Sequence, residues 1–336
     1  MVTAAVEPRE LLGLWGIDEH AELTPAQRGS NNKTLVVTDR DRRLVLRCGA
    51  NFSAGHVRTE HRLLAFLRGS ALPFAVPAPV PTLSGDTVGE SLAGPVTLCR
   101  WIPGVRPDLT TEPAFERFGC AIRQLVSALT QAPLDLAPHD WRGGPLEAFP
   151  DVCDVDELCR ELTDQGADGG HVASFSAAAQ DVAQWWPTAA GDLPVQLVHG
   201  DFGASNMLID SQAGRVTGVL DFEFAGIDFR VQDLAVGMLL SGALEVPDWQ
   251  ACTAALARGY MTAECLTDAE IQAIPELIVG RCVGTVLWRA SRWRREQVRL
   301  DDVLARLREL REVTQWLKAS RTQLLTLLTK TAGAKG

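Results

Sequence analysis

The sequence of 336 residues lacks the patterns that mark several large classes of protein. No segment approaches the roughly 18 uninterrupted apolar residues of a membrane-spanning helix. The first residues lack the basic region followed by an apolar segment that is typical of a signal peptide. The net charge is −10, which disfavours a general nucleic-acid-binding surface. We therefore expect a cytoplasmic protein that has neither a membrane nor a nucleic acid as its partner.

Metal-binding cysteine patterns are also missing. The eight cysteines are scattered, and none belongs to a Cys-x-x-Cys pair or to a set with histidine at zinc-ligand spacing. We expect reduced, mostly buried thiols. The chain has no Gly-x-Gly-x-x-Gly motif, and no internal repeat. Its 46% hydrophobic content is that of an ordinary globular protein.

The pattern of apolar residues changes about a third of the way along the chain. Strand patterns occupy the first hundred residues: KTLVVTD (33–39) and RLVLRC (43–48) flank a polar turn, as in a hairpin, and GPVTLCRWIPG (94–104) ends in Pro-Gly. Helical spacing of apolar residues predicts helices over 56–69, 112–132, 174–189 and most of 231–330. The chain is therefore strand-rich at first and helix-rich afterwards.

A polar loop interrupts apolar sequence in LVHGDFGASNMLID (197–210). Asp201 and Asn206 lie in this loop, and a further apolar strand ends in Asp221 within GVLDFEF. Two strands that each end in an acid can place these three side chains around one point. Their oxygens suit Mg²⁺, which takes one or two protein carboxylates together with phosphate oxygens and water. If Mg²⁺ binds there with ATP, one acid is left to receive a hydroxyl proton.

The order of these residues resembles the kinase catalytic loop His-x-Asp-x-x-x-x-Asn, followed by Asp-Phe-x. The middle residue of the first motif is Gly200 and the last of the second is Glu223. These two differences point away from protein kinases. The chain is similar to the superfamily of aminoglycoside phosphotransferases, choline kinases and type II homoserine kinases, which phosphorylate small molecules. The resemblance is strongest over 197–235, where Asp233 precedes Leu-Ala, and it covers about 25 to 300.

The resemblance implies an α+β, two-lobed, protein-kinase-like fold. Its N-terminal, nucleotide-binding lobe, an antiparallel sheet with one helix, would occupy 1–100, and a hinge would follow over 101–107. A larger, mostly helical C-terminal lobe over 108–336 would carry the catalytic loop and the acceptor pocket.

The resemblance also implies a role for each motif residue. Asp201 would orient or deprotonate the acceptor hydroxyl. Asn206 and Asp221 would hold Mg²⁺ against the β- and γ-phosphates of ATP. His199 and Asp233 would be structural, bracing the loops through hydrogen bonds.

Such a kinase needs a loop over the phosphates, a cation on the next strand and an acid that fixes the cation. Arg47 stands where the usual residue is lysine, and Glu60 on the following helix is its natural partner, although a solvent-facing charge is the alternative for Glu60. Backbone groups around Cys99 and Trp101 are expected to meet the adenine edge. The loop residues that tolerate the backbone conformations of a phosphate-binding turn are Gly29, Ser30, Asn31 and Asn32. A simple hairpin turn is the alternative for that loop.

The acceptor is the least determined part of this prediction. Trp288, Arg289 and Arg292 lie close together in GTVLWRASRWRREQVR (284–299), and such residues can hold a carboxylate or phosphate. The alternative is a tryptophan packed in the core beside solvated arginines. If this helix faces the pocket, it favours an acceptor with an anionic group and a hydroxyl, whose amine Asp228 could meet. Glu223 and Asp228 are also acids that an aminoglycoside site would use.

We therefore predict an ATP- and Mg²⁺-dependent phosphotransferase acting on a small-molecule hydroxyl, with a hydroxy amino acid such as homoserine as the leading acceptor. One alternative is an aminoglycoside or other antibiotic O-phosphotransferase. Another, of a different class, is a catalytically silent kinase fold that serves as a nucleotide sensor or scaffold, which only Arg47 in place of lysine favours. A monomer or a homodimer is expected.

Overall fold

The computed structural model describes residues 7–26, 33–49, 51–92, 94–189, 191–263 and 265–333. Its strands are β1 (Glu22–Pro25), β2 (Lys33–Asp39), β3 (Arg42–Cys48), β4 (Gly89–Ser91), β5 (Gly94–Arg100), β6 (His139–Asp140), β7 (Val195–Val198), β8 (Met207–Ile209), β9 (Val216–Val219) and β10 (Gly226–Phe229). Its α-helices are α1 (Pro8–Leu11), α2 (Ala54–Gly69), α3 (Glu112–Leu129), α4 (Gly144–Ala148), α5 (Val155–Asp164), α6 (Gly169–Ala189), α7 (Gln232–Leu240), α8 (Trp249–Tyr260), α9 (Asp268–Arg294) and α10 (Leu300–Gly333).

The chain divides into two compact units. The first consists of Met1–Pro107, Ser127–Pro138 and Ser205–Ala225, and the second of Asp108–Val126, His139–Ala204 and Gly226–Gly336. The polar loop of the sequence analysis is thus divided: Asp201 belongs to the second unit, and Asn206 and Asp221 belong to the first.

The first unit is built on a sheet with the strand order β1-β2-β3-β5-β4, in which every neighbouring pair is antiparallel. The predicted hairpin is confirmed, and its turn contains Arg40 with a positive φ of 54°. Alternate residues of the central strands, such as Val37, Leu46 and Leu98, are fully buried and form the core of this unit.

Helix α2 confirms the helix predicted from its apolar spacing. The Ser53 side chain caps it by accepting a hydrogen bond from the N–H of His56, which supplies an acceptor for one of the first-turn amides. The buried face carries Val57, Leu63, Leu64 and Leu67. Glu60 on the same helix is also buried. A buried carboxylate usually has a partner, so this position calls for a nearby cation or hydrogen-bond donor.

The second unit combines a three-stranded sheet, of order β6-β10-β7, with most of the helices. Strand β10 pairs antiparallel with β7 and parallel with β6. Neither β6 nor β10 was predicted, because each is at most four residues long and the partner β6 is distant in sequence. Helix α9 begins at a capping box of Thr267 and Glu270.

Among the described residues, one helix, α9, is long and apolar enough to cross a membrane by length and composition. Of its most apolar window, 72% is buried inside the protein. Burial of this extent is what a core helix shows, so the observation is weak evidence for a membrane span.

Candidate active site

The β8–β9 hairpin of the first unit places Asn206 and Asp221 at one end. Asn206 directly precedes β8, and Asp221 follows β9. Because the strands are antiparallel, with Met207 opposite Val219, the start of one strand lies beside the end of the other. The N–H of Leu220 donates to the carbonyl of Asn206 at 2.8 Å, which closes this end of the ladder.

Asp221 has a backbone conformation that L-residues rarely adopt. Its φ is 66°, and such a conformation costs of order 1–3 kcal/mol. Its carboxylate is 36% exposed and lies 3.8 Å from the guanidinium of Arg47. The strained backbone thus holds an accessible carboxylate next to a cation.

Arg47 lies at the centre of a cluster of acids within the first unit. Its guanidinium contacts Oε1 of Glu60 at 3.3 Å and Oε2 of Glu223, in addition to Asp221. The structure therefore brings Arg47 and Glu60 together. Glu223 and Glu60 are buried, whereas the Arg47 side chain is 25% exposed and keeps one side accessible.

The opposite charges of this cluster shift one another's pKa values in the direction that favours the charged forms. Burial alone would lower the pKa of Arg47, but the carboxylates of Glu60, Glu223 and Asp221 outweigh it and raise that pKa. Burial raises the pKa of Glu60, and the charge of Arg47 offsets part of the rise. Nε2 of His56 donates to the main-chain oxygen of Glu223 at 3.1 Å, and burial lowers the pKa of His56. Arg47 is thus a cation held in place by buried carboxylates, and a guanidinium is a group that can bind phosphate oxygens.

The remaining nucleotide-site predictions have different outcomes. The predicted phosphate loop lies outside the described residues; it comprises Gly29, Ser30, Asn31 and Asn32. The N–H of Trp101 donates to the carbonyl of Arg43 at 3.2 Å, and the N–H of Arg100 donates to that of Ala78 at 2.9 Å. These two amides are committed to the main chain, so adenine would have to meet other groups near Cys99. Burial raises the pKa of the Cys99 thiol to about 12.

In the second unit, buried hydrogen bonds fix the loop that follows β7. The carboxylate of Asp233, at the start of α7, accepts from the N–H groups of His199 and Gly200, both at 2.8 Å. The N–H of Asp201 donates to Nδ1 of His199 at 3.2 Å, so Nδ1 is the unprotonated ring nitrogen. Gly200 has a positive φ of 77°, which lets the chain turn here. Burial raises the pKa of Asp233, although the neighbouring His199 and the two amide donors oppose the rise. The hydrogen bonds of His199 and Asp233 thus fix the main chain at Gly200, the residue that precedes Asp201.

Asp201 has a partner that the sequence analysis missed. Nη2 of Arg281, on α9, forms an ion pair with Oδ1 of Asp201. Sequence spacing contained a clue, because Arg281 precedes Trp288 by seven residues and Arg292 by eleven, and residues so spaced lie on one face of a helix. The segment considered there began three residues later, at Gly284.

The predicted Trp–Arg pair on α9 is present. The guanidinium of Arg292 lies over the Trp288 ring, 5.6 Å from its centroid, and both side chains are buried. Arg289 is half-buried, and burial together with the charges of Arg292 and Arg306 lowers its pKa. The face of α9 that contacts Asp201 therefore belongs to a positively charged region of the second unit.

Two acids expected to meet the acceptor have other partners. Glu223 is fully buried in the first unit and binds Arg47. Asp228 lies on β10, 4% exposed, and its Oδ1 accepts from the N–H of Phe229 at 2.7 Å. Burial raises the pKa of Asp228 well above its usual value. Buried in this way, neither carboxylate presents an open surface to a substrate.

The donor atoms fit the metal that the fold implies. Among the described residues, no group of three or more His, Cys, Asp or Glu side chains could hold a metal ion. The amide of Asn206 and the carboxylate of Asp221 supply hard oxygen donors at one end of a hairpin. This small set suits Mg²⁺, which commonly completes its coordination with substrate phosphates and water.

Comparisons with known sequences agree with these features. The profile of the phosphotransferase enzyme family, APH, matches residues 22–271. The chain is 30% identical over 258 residues to homoserine kinase of Gluconobacter oxydans, covering 74% of this chain and 76% of that protein. It is 27% identical over 224 residues to homoserine kinase of Brucella ovis, covering 65% of this chain and 63% of that protein. The chain thus spans just under two thirds of the latter relative.

Comparisons of structure show the same fold. A microcompartment-associated aminopropanol kinase superposes with a TM-score of 0.65 at 18% identity, covering 94% of this chain and 97% of that one. An amicoumacin kinase in complex with AMP-PNP and Ca²⁺ superposes with a TM-score of 0.67 at 14% identity, covering 91% of each chain.

The fold and the sequence matches together define a small-molecule kinase with the two-lobed, protein-kinase-like α+β fold, as predicted. The chain belongs to the phosphotransferase enzyme family.

Proposed function

We propose that this kinase transfers the γ-phosphoryl group of ATP to the hydroxyl of a small acceptor that also carries a carboxylate, a hydroxy amino acid of the homoserine type. The observation that carries the proposal is the cation Arg281 beside Asp201, on a helix face with further arginines. A cationic antibiotic would be disfavoured by these charges. The identity with homoserine kinases supports the same acceptor class.

On the nucleotide side, the residues of the first unit would bind Mg²⁺·ATP. Asn206 and Asp221 would supply oxygen ligands to Mg²⁺, which when bound neutralises charge on the β- and γ-phosphates. Arg47 would contact phosphate oxygens while Glu60 and Glu223 fix its guanidinium. The loop residues Gly29–Asn32 and backbone groups near Cys99 and Trp101, other than the committed N–H groups of Arg100 and Trp101, would complete nucleotide binding.

On the acceptor side, Asp201 would accept the proton of the attacking hydroxyl. The hydrogen bonds of Asp233 to the preceding main chain hold this loop in place. Arg289 and Arg292 would add positive charge to the acceptor region, and the buried ring of Trp288 would hold Arg292 in place. Phosphoryl transfer depends mainly on positioning and charge stabilisation, and these fixed groups supply both.

An amino alcohol or antibiotic acceptor is the second candidate. It is favoured by the structural neighbours, an aminopropanol kinase and an amicoumacin kinase, although likeness at these identities shows the fold alone. A silent nucleotide sensor is the third candidate.

We further propose a cytoplasmic monomer or homodimer that binds small molecules rather than nucleic acid or membranes. The net charge of −10 disfavours nucleic acid as a partner.

A coupled ADP-release assay with Mg²⁺·ATP and a panel of acceptors tests the proposed function. The panel contains L-homoserine and other hydroxy amino acids, amino alcohols, choline and aminoglycosides. We expect turnover with hydroxy amino acids above that with every other class. Turnover confined to aminoglycosides or amino alcohols would contradict the acceptor class, and Mg²⁺·ATP binding without turnover on any acceptor would favour the silent fold.

A further inference from the structure

The contact between Arg281 and Asp201 occupies an oxygen that the proposed reaction needs. Asp201 must accept a proton from the acceptor, yet its Oδ1 already accepts a hydrogen bond from the Arg281 guanidinium. A carboxylate oxygen engaged by a guanidinium in a charge-assisted bond is less available to a second donor. The resting contact therefore has to weaken before Asp201 acts at that oxygen.

The guanidinium of Arg281 is only partly used in this contact. Its Nε is buried and has no hydrogen-bond partner within the described part of the chain. A buried donor without a partner is unfavourable, because it has lost its hydrogen bonds to water and gained none in return. An arginine presents its donors as a planar fork that matches a carboxylate, and here one edge donor of that fork is unsatisfied.

The surroundings of Arg281 favour an anion. Further arginines lie on the same helix at Arg289 and Arg292, and Arg306 on α10 acts on the same region. Burial lowers the pKa of Arg289, and the neighbouring cations Arg292, Arg306 and Arg281 lower it further, although the carboxylate of Asp302 opposes part of this effect. An incoming negative group would relieve this repulsion between like charges.

We propose that Arg281 binds the anionic group of the acceptor and that it leaves Asp201 to do so. The acceptor's carboxylate takes the Nε edge of the guanidinium, and the oxygen of Asp201 released in this exchange accepts the proton of the acceptor's hydroxyl. Arg281 thereby selects acceptors that carry an anion and keeps Asp201 occupied until one binds. This inference rests on the proposed function, since it assigns a residue to its acceptor.

The proposed exchange of partners predicts a result that a purely structural role of Arg281 would not produce. If Asp201 competes with the acceptor for Arg281, then Asp201→Asn weakens the competitor, and a carboxylate acceptor binds more tightly although the variant does not turn it over. Arg281→Met removes the anion-binding group and keeps an apolar side chain of similar length.

The test is calorimetric binding of L-homoserine, and of the analogue in which a CH₂OH group replaces its carboxylate, to wild type and three variants. We expect L-homoserine to bind Asp201→Asn about threefold or more tightly than wild type, and Arg281→Met about tenfold or more weakly. The analogue lacks the carboxylate and keeps the ammonium group, so its binding should not be weakened in Arg281→Met. Arg321→Met is the matched control, since it removes an arginine of α10 that pairs with Glu276 and takes no part in the proposed acceptor region, and it should bind L-homoserine within about twofold of wild type.

Thermal unfolding and Mg²⁺·ATP binding of each variant report whether it is folded. Equal affinity of L-homoserine for Arg281→Met and wild type would overturn the inference, as would weaker binding to a folded Asp201→Asn.

Failure of the proposed function would give different results. Turnover of neutral acceptors, with no carboxylate acceptor bound by wild type, would overturn the inference and leave the kinase activity in place. Unchanged turnover in Asp201→Asn would contradict the role of Asp201 in the reaction, whatever the binding results.

Discussion

Arg47 is the cation that compensates two buried carboxylates in the first unit, so its removal should destabilise that unit. Glu60 is 4% exposed and Glu223 is fully buried, and both contact the guanidinium. Removing one partner of a buried ion pair costs about 3–5 kcal/mol. Because the Arg47 side chain is 25% exposed, solvent screening lowers this figure. We expect Arg47→Met to reduce the free energy of unfolding by about 2–4 kcal/mol at pH 7.

The size of the loss should depend on pH. Burial raises the pKa of Glu60 in the folded protein above its ordinary value of 4.5, and without Arg47 the rise is larger. A carboxyl group with a raised folded pKa binds more protons in the folded state, so stability falls as the pH rises from the unfolded pKa through the folded one. The variant should therefore lose less stability near pH 5 than near pH 8.

Urea unfolding followed by tryptophan fluorescence measures both effects. With a slope of about 2 kcal/mol/M, the midpoint should fall by about 1–2 M at pH 7. Arg47→Lys, which keeps the charge, is the matched control and should retain most of the stability. Glu60→Gln and Glu223→Gln in the Arg47→Met background should restore part of it. A midpoint within about 0.2 M of wild type, or an equal loss at both pH values, would refute the reasoning.

Three further predictions follow from other parts of the structure. Gly119→Ala should destabilise by about 1–3 kcal/mol, because a Cβ on α3 would clash with the main-chain oxygen of Leu256 on α8. Gly69→Ala, with open space around it, is the control, and equal thermal unfolding of both variants would be inconsistent with this packing. Asp233→Ala should lower the unfolding temperature and reduce turnover, because two main-chain N–H groups lose their acceptor, and Asp233→Asn should be intermediate. An unaltered melting curve for the alanine variant would argue against a structural role for these two hydrogen bonds. Mg²⁺·ATP at about a hundredfold above its Kd should stabilise wild type by about 2.7 kcal/mol, and a thermal shift assay should show that Asp221→Ala loses the Mg²⁺-dependent part of this stabilisation. An undiminished stabilisation of the variant would exclude Asp221 as a ligand of Mg²⁺.

Local patterns explain which parts of the fold were predictable from the sequence. The hairpin at 33–48 and helix α2 carry their own hydrophobic periodicity, and both are present with nearly the expected bounds. Strands β6 and β10 have no such signal, because two to four residues cannot show a period and their pairing joins segments far apart in the chain.

The same distinction applies to the candidate site. The spacing of Asp201, Asn206 and Asp221 is a short-range motif, and it identified the family correctly. The ion pair of Arg281 with Asp201 joins residues 80 positions apart, and Arg47 with Glu223 joins residues 176 apart. Charge patterns in sequence do not specify which acids meet which cations when the pairing is set by tertiary packing, so Glu223 was assigned to the acceptor.

The most direct test of the central claim is single-turnover phosphoryl transfer from Mg²⁺·ATP to L-homoserine by wild type and Asp201→Asn. The account predicts phosphorylated homoserine from wild type and a rate at least about a hundredfold lower in the variant, because it loses the group that accepts the hydroxyl proton. Affinity for Mg²⁺·ATP should be unchanged, since the nucleotide residues lie in the first unit. An equal rate in the variant, or no transfer by wild type to any hydroxy amino acid, would contradict the account.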